Sequence, residues 1–217
     1  MTESYGDRTV LRPSARTQAW GFVVGSVLFA IGSAPSLTDV LDRTVANVSF
    51  FAGSWFFTAG AFVQLALSGP ATPARGSVAV RTTWLAAAVQ LLGAILFNVS
   101  TGEALRLRTP SGEGEFVWGP SADGSVAFLI SAGLAVLAMV RGRRGWAPSD
   151  RTWWSIWLNL AGSMAFVGSS AASIASPGGA FQYAPLSNIA TFVGSVCFFA
   201  ASAILLPSGR PNGPDRA

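Results

Sequence analysis

Long apolar runs separated by short polar segments make up most of the chain. No charged residue occurs between Arg43 and Arg75, or between Arg151 and Arg210. A helix of about 20 apolar residues crosses the roughly 30 Å hydrocarbon layer of a bilayer. Because membrane strands alternate in polarity, uninterrupted apolar runs of this length predict helices. We predict six spans, at Trp20–Leu37, Ala46–Ser68, Thr82–Ser100, Gly119–Val140, Trp153–Ala175 and Ser187–Leu206.

The composition narrows the class of protein. Hydrophobic residues make up 51% of the 217 residues and charged residues 11%, against roughly 25% charged in soluble domains, which indicates an integral membrane protein. The chain has no histidine, so it lacks the commonest general base and metal ligand. Its single cysteine, Cys197, has no partner for an intramolecular disulfide. Because no nucleophile–base pair or carboxylate pair can be assembled from the sequence, we expect that the protein is not an enzyme and binds no cofactor or metal.

All basic residues are arginines, and they flank the apolar runs. If the chain crosses the membrane six times, eleven of the fourteen lie on the side of the N-terminus. Because arginine-rich loops stay in the cytoplasm, we predict a cell-membrane protein with both termini cytoplasmic. The net charge of +4 is thereby explained by orientation in lipid, and we expect no nucleic-acid partner. The eleven are Arg8, Arg12, Arg16, Arg75, Arg81, Arg141, Arg143, Arg144, Arg151, Arg210 and Arg216.

Each predicted span contains one five-residue pattern, Gly-(Ser/Ala)-x-x-Phe, called the pentad below. Glycine at i and phenylalanine at i+4 lie on one face of a helix. In lipid, helices associate through close backbone approach over small residues and through dispersion contacts. The pentad therefore predicts helix packing, and the alternative is that its face also lines a ligand path. The six pairs are Gly25 with Phe29, Gly53 with Phe57, Gly93 with Phe97, Gly124 with Phe128, Gly162 with Phe166, and Gly194 with Phe198.

The spacing of the pentads predicts an internal repeat. Their glycines are 68 and 69 residues apart in the first, third and fifth spans, and 71 and 70 residues apart in the others. We predict an all-α integral membrane six-helix bundle of three tandem two-helix hairpins, related by a pseudo-threefold axis along the membrane normal. The predicted segments are a cytoplasmic tail at 1–17, hairpins at 18–70, 82–142 and 152–207, and a disordered cytoplasmic tail at 208–217.

A two-span unit that carries Gly-Ser-x-x-Phe resembles the YrhK-like domain of bacterial membrane proteins. The resemblance covers the three hairpins, and the third pentad departs from it with Ala94 in place of serine. It implies a multi-pass membrane protein and gives no activity to named residues.

Three carboxamide side chains inside the spans are candidates for chemistry. Gln90 and Asn159 each stand three residues before a pentad glycine, so we expect them to face inward at equivalent positions. Asn98 lies nearer the outer surface. An interhelical hydrogen bond is the simpler interpretation of all three, and a polar patch along a solute route is the alternative.

The outer end of the fourth span has two further features. Asp123 is the only carboxylate within a predicted span. Its position favours stabilisation of a helix start over a proton or cation role. The preceding connection, Thr101–Trp118, is turn-rich and predicts a small hairpin or interfacial flap.

Two functions of different class fit these patterns. The leading interpretation is a non-enzymatic membrane protein with an interaction or scaffolding role, whose partners are lipid and either a second copy or another membrane protein. The alternative is a small-solute transporter or channel, favoured by the repeat and by the three carboxamides and opposed by the absence of ion pairs in the spans. A cavity that reaches the midplane favours transport, and a dry core favours the scaffold.

Overall fold

A computed structural model describes residues 13–35, 42–71, 78–106, 113–142, 146–173 and 184–206. These ranges contain six α-helices, one π-helical turn at Glu113–Trp118 and no strand. Residues 1–12 and the predicted tail at 208–217 lie outside them. The helices are α1 (Ala15–Ser33), α2 (Arg43–Leu67), α3 (Val78–Arg106), α4 (Gly119–Arg141), α5 (Arg151–Ala172) and α6 (Ala184–Ala203).

Polar residues next to the apolar runs fix several helix ends. Ser14 caps α1 by accepting a hydrogen bond from the Thr17 amide at 3.1 Å. Asp150 caps α5 in the same way, from the Thr152 amide at 2.8 Å. Each cap satisfies an amide that has no partner within its helix. These two helix starts are therefore encoded locally.

The third helix is longer than its apolar run predicts. It extends six residues beyond Ser100 to Arg106, and the π-helical turn covers the end of the same connection. The described parts of Thr101–Trp118 are therefore helical, and residues 107–112, at the centre of the predicted hairpin or flap, lie outside the described residues. Ser100 Oγ donates to the Val117 carbonyl at 2.8 Å, which ties the π-helical turn to α3 and supplies a polar partner that the hydropathy pattern does not reveal.

The six helices contact one another in chain order, and α1 also contacts α6, which closes the sequence of contacts into a ring. The most extensive contacts join α1 with α2, α3 with α4, and α5 with α6. Small polar residues lie in the interior together with a set of phenylalanines, and many other large apolar residues face outward. Ser54 and Ser163 are fully buried, whereas Phe62 and Met164 are 62% and 60% exposed. This distribution is the reverse of a soluble protein and suits a lipid surround.

Four helices, α2, α3, α4 and α6, are long and apolar enough to cross a membrane. They indicate a multi-pass membrane protein. The other two predicted spans are present as helices, and they are less apolar for local reasons. Arg16 and Gln18 lie in the first turn of α1, and α5 begins at Arg151 and carries Asn159 and several serines.

Candidate functional site

The six pentad glycines meet as three pairs: Gly25 with Gly53, Gly93 with Gly124, and Gly162 with Gly194. A methyl group on any of them would stand 3.0–3.1 Å from the carbonyl oxygen of its partner glycine. That distance is tighter than nearly all Cβ contacts, and the opposing atom belongs to the backbone. The absence of a side chain therefore sets how closely each helix pair approaches.

Each pentad phenylalanine packs against the glycine of the opposite helix. A methyl on Gly53 would lie 2.7 Å from the Phe29 ring, and one on Gly25 would lie 2.8 Å from the Phe57 ring. The same reciprocal contact joins α3 with α4 and α5 with α6, at 2.6–3.1 Å. Glycine and phenylalanine of the pentad thus act across a helix pair, each ring filling the space over the partner's glycine.

The six pentad phenylalanines form one cluster, called the phenylalanine cluster below. Phe29, Phe97 and Phe166 have ring centroids 5.8–6.0 Å apart. The rings of Phe57, Phe128 and Phe198 are 5.6–6.1 Å apart. Contacts of 5.2–5.4 Å within each helix pair join the two sets. All six side chains are at most 7% exposed, so this part of the interior is apolar and closely packed.

The serines at the second pentad position are also buried, and most of their hydroxyl groups donate a hydrogen bond to a carbonyl of their own helix. Ser163 and Ser195 donate to the carbonyl four residues earlier in their own helices, at 2.9 and 2.7 Å. Ser54 and Ser125 additionally contact hydroxyls on the next helix, Thr101 at 3.1 Å and Ser170 at 3.0 Å. Ser26 is the exception, since its buried Oγ has no partner among the described residues.

A cavity of about 210 Å³ lies against Phe29, Phe97 and Phe166 and is called the hydroxyl cavity. Its serines and threonines bond to one another and to the backbone. Ser169 Oγ lies 2.6 Å from the Thr191 hydroxyl and 3.0 Å from that of Ser187. These bonds leave the polar wall of this cavity largely paired within the protein. The polar lining consists of Asn47, Ser100, Thr101, Ser121, Ser125, Ser169, Ser170, Ser173, Ser187, Asn188 and Thr191.

A second cavity, of about 330 Å³, lies at the other ends of the same helices and is called the amide cavity. Four carboxamides from four different helices line it: Gln18 of α1, Gln64 of α2, Gln90 of α3 and Asn159 of α5. Among the described residues that line it, none is charged. The remaining lining is Ala15, Ala19, Phe22, Ser131, Ala132, Ala135, Thr152, Ser155, Ile156, Ala201, Ser202 and Leu205.

The structure brings two of the sequence candidates into one site and leaves two outside it. Gln90 and Asn159 both line the amide cavity. Asn98 lines neither cavity; its Nδ2 donates to Thr58 Oγ1 of α2 at 2.9 Å, an interhelical hydrogen bond. Asp123 also lines neither cavity and is exposed.

The structure corrects the interpretation of Asp123 as a stabiliser of a helix start. Trp118 precedes α4 with helical backbone angles, φ −67° and ψ −45°, and no acidic residue lies in the first turn of α4. The helix continues directly from the π-helical turn. Because stabilisation by a charge falls off within the first turn, Asp123 is too far from a helix start to provide it.

Sequence reasoning missed Gln18 and Ser155 as lining residues. Each lies seven residues before a pentad glycine, Gly25 and Gly162 respectively, and so shares the inward face of its helix. This offset was the signal that could have found them. Gln18 lies next to the predicted tail and outside the predicted first span, where polar residues are expected.

Comparison of the chain with protein families, with curated proteins and with solved structures gives no match. The resemblance of the hairpins to YrhK-like domains therefore stays a prediction.

We expect Gly162→Ala to destabilise the protein, by about 1–3 kcal/mol if it behaves as overpacking does elsewhere. Its methyl would meet the Gly194 carbonyl oxygen at 3.0 Å and the Phe198 ring at 2.9 Å. The matched control is Gly168→Ala in the same helix, where a methyl has no neighbour within 4 Å. Thermal unfolding of both variants in detergent is the measurement. Equal melting temperatures for the two would contradict the packing role of the pentad.

We expect Ser26→Ala to leave the melting temperature unchanged or to raise it, because the substitution removes a buried hydroxyl without a partner. Ser54→Ala is the matched control at an equivalent pentad position. It removes bonds to the Phe51 carbonyl at 2.8 Å and to Thr101, and we expect it to cost about 0.5–1.5 kcal/mol. A larger loss for Ser26→Ala than for Ser54→Ala would show that Ser26 has an essential partner.

Proposed function

We propose that the protein is a six-helix membrane bundle of three tandem hairpins, formed by α1 with α2, α3 with α4, and α5 with α6. Reciprocal glycine–phenylalanine contacts at the same pentad positions within each pair support this division. The two sets of three phenylalanines support a pseudo-threefold arrangement, because the centroid distances within each set are nearly equal.

All six helices span the membrane in this proposal, including α1 and α5. Both contact spanning helices on either side in the ring. Tryptophans at the start of α5 support its placement, since amphipathic rings prefer the headgroup layer. Trp153 contacts Trp146 and Trp154, with ring centroids 5.1 and 5.0 Å apart, and Trp146 is 84% exposed.

Both termini are then on the cytoplasmic side of the cell membrane, because the arginine-rich segments lie on that side. We expect Ser208→Cys to be protected, and Ser111→Cys to be labelled, when a thiol reagent that cannot cross membranes is added to intact cells. Cys197→Ser serves as the background for both variants. Labelling of Ser208→Cys together with protection of Ser111→Cys would mean that the orientation is reversed.

We further propose that the bundle is not an enzyme and has an interaction or scaffolding role, with a second copy or another membrane protein as partner. The phenylalanine cluster is the observation that carries this proposal. Six rings from six helices, none more than 7% exposed, close the interior between the two cavities. Such close packing favours a rigid assembly over a conducting one.

A small-solute transporter or channel is the second candidate function. The observation that favours it is the pair of polar cavities at opposite ends of the helices, with the phenylalanine cluster between them. In that case the cluster would be a gate, and transport would require its six rings to separate.

Flux measurements distinguish the two functions. We expect liposomes that contain the purified protein to admit glycerol and urea no faster than liposomes without protein, as measured by stopped-flow light scattering. If the cluster closes the interior, removal of two rings in the variant Phe57→Ala/Phe128→Ala should raise the leak of solute into the liposomes. These two rings are neighbours, with centroids 6.1 Å apart. Flux above the background with the unmodified protein would favour the transporter.

A further inference from the structure

The amide cavity contains a buried polar group that the described part of the protein does not satisfy. Gln90 is only 2% exposed, and its Nε2 has no hydrogen-bond partner among the described residues. Buried side-chain donors in proteins are nearly always paired, because an unpaired one loses its hydration without compensation. Gln90 lines the cavity, so a molecule inside the cavity is the natural source of the missing acceptor.

The hydroxyl cavity offers a useful contrast. There, polar side chains bond to one another, as Ser169 does with Ser187 and Thr191, or to the backbone, as Asn47 does with the Ala104 carbonyl at 3.1 Å. Nine of the eleven polar side chains that line it therefore already have a hydrogen bond within the protein. The amide cavity is the site at which an acceptor from outside is required.

Carboxamides define which chemistry the amide cavity can recognise. Each presents an N–H donor beside a carbonyl acceptor in one plane. A ligand with the same two groups side by side can form two parallel hydrogen bonds with such a side chain, as Asn and Gln do with adenine. Gln18, Gln64 and Asn159 add three further carboxamides to that of Gln90 on the walls of this cavity.

Charge and size restrict the ligand further. No charged residue is among the described residues that line the cavity, so none of these lining residues supplies a counter-charge that would offset the desolvation of an ion. Phe22, Ile156 and Leu205 provide apolar wall. The volume of about 330 Å³ is near the lower end for ligand pockets, which begin at roughly 300 Å³.

We propose that the amide cavity binds a small uncharged amide, a solute in which N–H and C=O groups adjoin, and that Gln90 Nε2 donates to the carbonyl oxygen of this solute. The site goes beyond the scaffolding role, and it does not depend on transport. A scaffold would use it to sense the solute, and a transporter would use it to bind the solute before passage.

Three probes of nearly the same shape test the chemistry. Nicotinamide has the adjoining N–H and C=O groups, nicotinate replaces them with a carboxylate, and 3-acetylpyridine keeps the carbonyl but lacks the N–H groups. Titration calorimetry on the full-length protein in detergent measures their binding. We expect nicotinamide to bind with a dissociation constant of about 1 mM or lower, and the other two at least tenfold more weakly.

Two substitutions on the same helix locate the site. Gln90→Leu removes the unpaired donor and should weaken nicotinamide binding at least tenfold. Asn98→Leu is the matched control, because Asn98 is also a carboxamide of α3 with a buried unpaired atom, Oδ1, but does not line the cavity. It should leave the affinity unchanged. Asn159→Leu, at the cavity wall on α5, provides a second test if Gln90→Leu does not fold, and should also weaken binding.

Several results would overturn the proposal. Absence of nicotinamide binding at tens of millimolar would mean that the cavity holds only water. Equal binding of all three probes would indicate an apolar hole without amide recognition. Unchanged affinity in Gln90→Leu and Asn159→Leu would place the bound probe elsewhere. None of these results depends on whether liposomes containing the protein conduct solutes, so the inference and the scaffolding role can fail separately.

Discussion

The rest of the structure depends on the contact between two helix backbones at each glycine pair. At these points each glycine occupies a position where a methyl group would stand about 3 Å from its partner's carbonyl oxygen. This approach lets the phenylalanine four residues later pass over the partner's glycine and reach the interior. Because all three pairs do so, six rings meet at one place. The polar cavities lie on either side of that meeting point, lined by other residues of the same helices.

Hydroxyl groups at the helix contacts form hydrogen bonds both within one helix and between helices. In lipid, helices gain nothing from hiding apolar surface, so small polar side chains at their contacts supply much of the specificity. The buried serines here bond first to their own helix, as Ser163 does with the Asn159 carbonyl. Others also reach a helix of the next glycine pair, as Ser125 of α4 does with Ser170 of α5. The same residue type thus lets a helix be buried and joins one helix pair to the next.

The sequence predicted the helices well and the interior only in part. Apolar runs locate all six helices, and the pentad identifies the face that packs, because both depend on local spacing. The extension of α3 to Arg106 was missed because Gly102, Glu103 and Arg106 end the apolar run from which the helix was predicted. The equivalence of Gln90 and Asn159 is visible in the sequence. Their convergence with Gln18 and Gln64 on one cavity is not visible in the sequence. It depends on how four separate helices pack and on the volume that their side chains leave unfilled.

The pentad occurs in consecutive helices that pack as reciprocal pairs, so in the proposed bundle the same five residues serve helices that cross the bilayer in opposite directions. Such a core carries no vectorial information: inverted across the membrane, it would be packed just as well. In the proposed bundle the direction of insertion then depends on the arginines that flank the helices. Moving a few of these arginines would then reverse the proposed orientation without any change to the six pentads.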